Sequence, residues 1–181
     1  MSAILWTIGH STRPIEKFIK LLKAHRIEQL VDVRTIPRSR HNPQFNAEAL
    51  AKSLASEGIS YQHAAKLGGL RKPKKDSVNQ GWRNESFRGY ADYMQTGEFW
   101  KAVEELMADG RLLRTAVMCA EAVPWRCHRS LIADALVTRD CVVRHIMSET
   151  KADRHQLTSI ATPTNGMLHY PEPNAAPRLF P

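Results

Sequence analysis

The chain alternates short unbroken apolar runs with longer stretches whose apolar residues recur every three to four positions. ILWTIG at 4–9 is an apolar, β-branched run that breaks at Gly9, as a strand does. Pro14 suits a first helical turn, and Ile15, Phe18, Ile19 and Leu22 then fall on one helical face. IEQLVDVR at 27–34 reads as a second strand, followed by the proline-broken loop TIPRSRHNPQF. Asn46 caps a helix that carries Leu50, Ala51 and Leu54 and stops at Gly58, and ISYQHA is a short third strand. Helix returns at SFRGYADYMQ, and again at TGEFWKAVEELMADG, where Phe99, Val103, Leu106 and Met107 share a face and Gly110 marks a stop. LLRTAVMCAE is a fourth strand, RCHRSLIADALVTR a helix and CVVRHIM a fifth strand. The Pro-rich stretch from about Thr162 reads as an extended tail.

Strands that alternate with helices predict an α/β fold: a single three-layer domain, residues 1–161, with a mostly parallel sheet of about five strands and a C-terminal tail at 162–181. The 181 residues, 43% apolar and 24% charged, fit one ordinary soluble domain with a real core. No apolar run is long enough to cross a bilayer, and the first residues lack the pattern of a signal peptide, so a membrane is not an expected partner. Three cysteines, an odd number, do not make a disulfide framework and point to a reducing cytoplasm. The formal charge of +8 favours anionic partners, either small molecules or nucleic acid. Residues 66–88 show no periodicity and carry seven Lys or Arg against two Asp or Glu. A loop this long in a compact domain is functional or mobile. Neither a cofactor nor an oligomeric state can be read from the sequence.

The dense polar clusters follow the carboxyl ends of the expected strands: GHST, DVRTIPRSRH, HAAKLGG, CAEAVPWRCHR and RHIM. Open α/β sheets bind ligands at that edge. Four residues there form the expected catalytic set. Cys119 ends the fourth strand, Glu121 follows it, and Cys127 and His128 open the next helix on its apolar side. Arg126 and Arg129, with that helix N-terminus, would depress a thiol pKa. The expected ligand-binding set is His10, Ser11, Arg34, Arg38, Arg88 and Arg129. Asp32, two positions before Arg34 on one strand face, would aim its guanidinium. Arg40, His41, Lys66, Arg71, Lys72, Lys74 and Lys75 extend the basic rim. Trp82, Phe87 and Tyr90 lie among Arg83 and Arg88, a mixture that suits single-stranded nucleic acid. Cys141 is read as core.

Two alternatives are disfavoured by spacing. A phosphatase-type loop has no glycine-rich turn here, and Pro124 removes a donor between Cys119 and Arg126. A metal held by Cys119, Cys127, His128 and His10 or His145 would need adjacent residues, about 100° apart on a helix, to reach one ion, so no metal ligand is assigned.

TIGHST, DVRTIPRS, LGGLR, FRGYADYM and CAEAVPWRCHR, in that order, resemble the family catalogued as domain of unknown function 488, over roughly residues 4 to 147. Cys119, Glu121, Cys127, His128 and Arg129 fall on the family's pattern. The resemblance implies a bacterial-type cytoplasmic α/β domain with an enzyme-like cysteine site, and no particular reaction. Three readings follow. The first is a thiol-dependent hydrolase or transferase acting on a phosphorylated, nucleotide-like or nucleic-acid substrate. The second is a non-catalytic nucleic-acid-binding module. The third is a metal-dependent enzyme or sensor with Cys and His ligands.

Overall fold

The computed structural model describes residues 2–173. Five strands, β1 (Ile4–Gly9), β2 (Gln29–Asp32), β3 (Ser60–His63), β4 (Thr115–Cys119) and β5 (Val142–Ile146), run parallel. A sixth, β6 (Ala152–Arg154), pairs antiparallel with β5, giving the order β3-β2-β4-β1-β5-β6. The sheet is therefore one strand larger than expected. ADR is too short and too polar to register as a strand by its own pattern, and pairing with β5 makes it one.

Helices α1 (Ile15–Ala24) and α2 (Ala47–Ala55) cover one face, packing Phe18, Leu22, Leu50 and Leu54 against Trp6, Ile8 and Met118. Helices α3 (Glu85–Tyr93), α4 (Gly97–Leu112) and α5 (Arg129–Val137) cover the other, over Leu5, Val31 and Val117. Leu131, Ile132 and Leu136 anchor α5, each at 1% exposure or less. Such burial contributes about 2 kcal/mol per side chain. Helix α4 runs through Gly110 for two further residues, because Gly110 lies against Leu5, where burial offsets its poor helix propensity.

The stretch expected as a tail is docked as far as the described residues go. A hairpin of β7 (Thr162–Thr164) and β8 (Met167–His169) leads to Leu168 and Tyr170, both fully buried. Residues 174–181 of that stretch lie outside the described residues. The aperiodic basic loop is also tied down. Buried Asp92 on α3 accepts hydrogen bonds from the Lys74 backbone N–H (2.8 Å), Ser77 Oγ (2.6 Å) and Asn79 Nδ2 (2.8 Å). Among the described residues no helix is long and apolar enough to cross a membrane.

Connections from β1 to β2 to β3 move toward one edge of the sheet, with α1 and α2 on one face, and those to β4 and β5 return on the other face. β4 therefore sends its loop to the α5 face while its neighbours β1 and β2 send theirs to the α1/α2 face. The loops part above the carboxyl end of β4, where Cys119 sits.

Candidate functional site

A cleft of about 760 Å³ opens at that parting. Its lining includes Cys119, Glu121, Cys127 and His128 from the β4–α5 segment, His10 and Ser11 after β1, and Arg34 and Arg38 after β2. Eight of the ten expected site residues thus meet at one rim.

Three atoms converge at the base of the cleft. Cys119 Sγ lies 3.9 Å from His128 Nδ1, and Cys127 Sγ lies 3.7 Å from the same nitrogen. On the other side of the ring, Nε2–H donates to the Val33 carbonyl at 3.1 Å. Nδ1 is therefore the ring nitrogen turned toward the sulfurs. All three cysteines are free thiols. The hydrogen bond from Cys127 holds the Cys119 thiol well below its usual range, against the opposing effect of burial, and His128 and the Ala120 backbone N–H add to the depression. Cys127 moves upward, because its proton is engaged by Cys119 and because it is buried. One of the two thiols ionises, and Cys119 is the better placed.

Arg34 is aimed as its spacing implies. Its Nε donates to Asp32 Oδ1 (2.9 Å) and its Nη2 to Asp32 Oδ2 (2.6 Å) and to the Phe45 carbonyl (2.7 Å). Tyr61 OH also donates to Asp32 Oδ2 at 2.8 Å. His10 stacks on Phe45 with ring centroids 4.3 Å apart, and its Nδ1–H donates to the Ser11 carbonyl at 2.7 Å. That leaves His10 Nε2 to accept from Arg34 Nη1 at 3.4 Å. Burial lowers the His10 pKa, followed in that direction by the Arg34 charge. Arg38 and Arg126 line the cleft as exposed cations, and Glu121 is exposed at its mouth.

Two expected ligand residues are elsewhere. Arg88 does not line the cleft. It lies on α3 and donates from Nη1 to Gln80 Oε1 at 3.0 Å, while Asn84, Ser86 and Phe87 beside it face the cleft. Arg129 is 1% exposed and sits behind the thiols. Its Nη2 donates to the Ala122 carbonyl at 3.0 Å, but Nε and Nη1 have no hydrogen-bond partner among the described residues. Burial lowers its pKa, and the charges of Cys127 and Cys119 oppose that. A buried guanidinium without a carboxylate partner favours a thiolate beside it.

Packing takes up much of the aromatic surface at the basic loop, although Phe87 lines the cleft. Tyr90 is fully buried with its OH donating to the Leu67 carbonyl, and Trp82 packs on Phe87 and Tyr170. Tyr90 is core, while Trp82 and Phe87 are half-buried against it where α3 and the C-terminal segment pack together. Cys141 is buried in the core, as expected. The geometric objection to a shared ion also fails. Cys127 has extended backbone angles (φ −138°, ψ 143°) and precedes the helix, so its sulfur and the His128 ring can point to one place.

Sequence reasoning missed the glycines that make room for the site. A Cβ on Gly69 would lie 2.4 Å from His128 Nδ1, and one on Gly9 would lie 1.7 Å from the Glu121 carbonyl oxygen. Gly9 at the end of β1 and the Gly68–Gly69 pair in LGGLR were the available signal. Neither a curated protein nor a solved structure matches the chain. A family model described as "Domain of unknown function DUF488" matches residues 14–136, and the chain belongs to that family.

Proposed function

We propose that the protein is a cytoplasmic thiol-dependent enzyme, a hydrolase or transferase, in which Cys119 is the nucleophile and His128 its proton acceptor. The substrate class is an anionic small molecule, phosphorylated or nucleotide-like. One observation carries the reading: Cys119 Sγ stands 3.9 Å from His128 Nδ1, in a ring whose other nitrogen is fixed on the Val33 carbonyl. In outline, the Cys119 thiolate, its proton already given up to Nδ1, attacks the electrophilic centre of the substrate. The imidazolium donates that proton to the leaving group as its bond to the substrate breaks, and water or an acceptor hydroxyl then displaces the Cys119 thiolate from the transferred group. Cys127 donates its S–H to the thiolate, and Arg129 supplies positive charge from behind. Arg34, held by Asp32, and exposed Arg38 and Arg126 receive the substrate's anionic group. Glu121 is placed at the mouth to handle a second proton. A nucleic-acid-binding module is less well supported, because Tyr90 is fully buried and Trp82 packs against the core, which leaves Phe87 as the one of the three that lines the cleft.

The test is mass-mapped alkylation of the native reduced chain near neutral pH, with and without inorganic phosphate or a nucleoside monophosphate. The expected outcome is that Cys119 labels first, Cys141 stays unlabelled, and the anion slows Cys119 labelling several-fold. Labelling of Cys119 only after unfolding would sink the nucleophile, and indifference to every anion would sink the substrate class.

A further inference from the structure

The proposed mechanism makes Cys127 only a hydrogen-bond donor, yet its sulfur is as close to His128 Nδ1 as that of Cys119. The sulfurs of Cys119 and Cys127 and Nδ1 of His128 all lie within 4.8 Å of one another. A tetrahedral zinc ion with Zn–S of about 2.3 Å and Zn–N of about 2.05 Å sets sulfur and nitrogen roughly 3.6 Å apart. The observed separations are 3.7 and 3.9 Å. Both sulfur–nitrogen separations are thus within a few tenths of an ångström of those an ion needs.

We infer that Cys119, Cys127 and His128 form a three-ligand site for a soft or borderline divalent cation of the zinc class. The donor set, two sulfurs and one imidazole nitrogen, is that of zinc rather than of calcium or magnesium. The Val33 carbonyl supplies the outer hydrogen bond that orients a ligating histidine, and it fixes Nδ1 as the free donor atom. Because all three residues line the cleft, the fourth coordination position faces it. Two thiolates balance the ion, and the surrounding Arg34, Arg38, Arg126 and Arg129 guanidiniums outnumber Asp32 and Glu121. The fourth ligand is then an anion, drawn from the same cleft as the Arg34 and Arg38 ligand. This goes beyond the nucleophile reading. That reading needs Cys119 and His128, whereas the ion engages Cys127 equally and withdraws Cys119 from alkylation.

Titration of the reduced, metal-free full chain with Co²⁺ tests the site under anaerobic conditions. The expected result is a sulfur-to-cobalt charge-transfer band and intense tetrahedral d–d bands that saturate at an equimolar ratio and bleach on addition of Zn²⁺. Cys127→Ser and Cys119→Ser each diminish the band, and Cys141→Ser leaves it unchanged. Absence of the band, or a band undiminished in a folded Cys127→Ser protein, overturns the inference. A second readout does not depend on variants folding. Equimolar Zn²⁺ protects both Cys119 and Cys127 from alkylation in the wild-type chain, and labelling unaffected by Zn²⁺ overturns it equally. A Cys119 that labels readily in metal-free protein but binds no Co²⁺ removes the ion site alone. A chain that binds Co²⁺ but whose Cys119 never labels when metal-free removes the nucleophile alone.

Discussion

Cys119 and Cys127 are both buried, both within reach of one imidazole nitrogen, and yet pushed in opposite directions. The difference follows from which sulfur accepts and which donates: negative charge on one makes ionisation of the other costly. Position adds to this, since Cys119 ends a strand and accepts from the Ala120 backbone N–H. The arrangement depends on His128 keeping its ring where it is, and Gly69 is what allows that. Gly69→Ala would drive a Cβ into the ring at 2.4 Å from Nδ1, so the ring must tilt away from the sulfurs. We expect this variant to keep its far-ultraviolet circular dichroism while Cys119 alkylation near pH 6 slows by about tenfold or more, as its thiol returns toward the ordinary range. Unchanged alkylation in the folded variant would show that His128 does not set the thiol's reactivity.

At the level of elements, the strand–helix alternation was legible because each core segment repeats its own period. The apolar run TAVMC is buried throughout in β4, and the i, i+3, i+4 spacing of Phe99, Val103 and Leu106 marks α4. The meeting of the polar clusters at one sheet edge was legible for the same reason, since parallel strands send their following loops to one side. What was not legible depended on tertiary partners. The segment ADR becomes β6 only beside β5, and Gly110 stays helical because it packs on Leu5. Arg88 carries the same charge as Arg34, and only the orientation of α3 turns it toward Gln80 rather than the cleft. The spacing of Cys127 and His128 predicted divergence on a helix, but Pro124 starts a short 3-10 turn and α5 begins at Arg129. The basic loop's composition marked a surface, while its order comes from Asp92, a residue on a later helix.

Across the whole molecule, a second buried polar chain fastens the C-terminal segment to the sheet. Thr7 Oγ1 meets His145 Nδ1 at 2.7 Å, His145 Nε2 meets His155 Nδ1 at 2.9 Å, and His155 Nε2 meets Asp134 Oδ1 at 2.8 Å. Tyr170 OH donates to Asp134 Oδ2 at 2.9 Å. Burial, then the charges of His155 and Arg129, lower the His145 pKa to about 4, against the opposing pull of Asp153 and Asp134. An unfolded histidine takes its proton near pH 6.5. As pH falls through that value, the unfolded chain binds a proton that folded His145 refuses, so stability declines until pH reaches about 4. The shift corresponds to about 3 kcal/mol at 1.36 kcal/mol per unit. Urea unfolding across this window should therefore show a steeper loss of stability in the wild type than in His145→Gln, and equal slopes would show that His145 is not held neutral. The central claim concerns the other end of α5, where the Cys119 thiol is held below its usual range beside Cys127 and His128. Its most direct measurement is the far-ultraviolet thiolate absorbance of the native metal-free chain as a function of pH. The account predicts a step well on the acid side of neutrality that disappears in Cys119→Ser. A step only near the ordinary thiol value of about 8.5, or one that survives in Cys119→Ser, would contradict it.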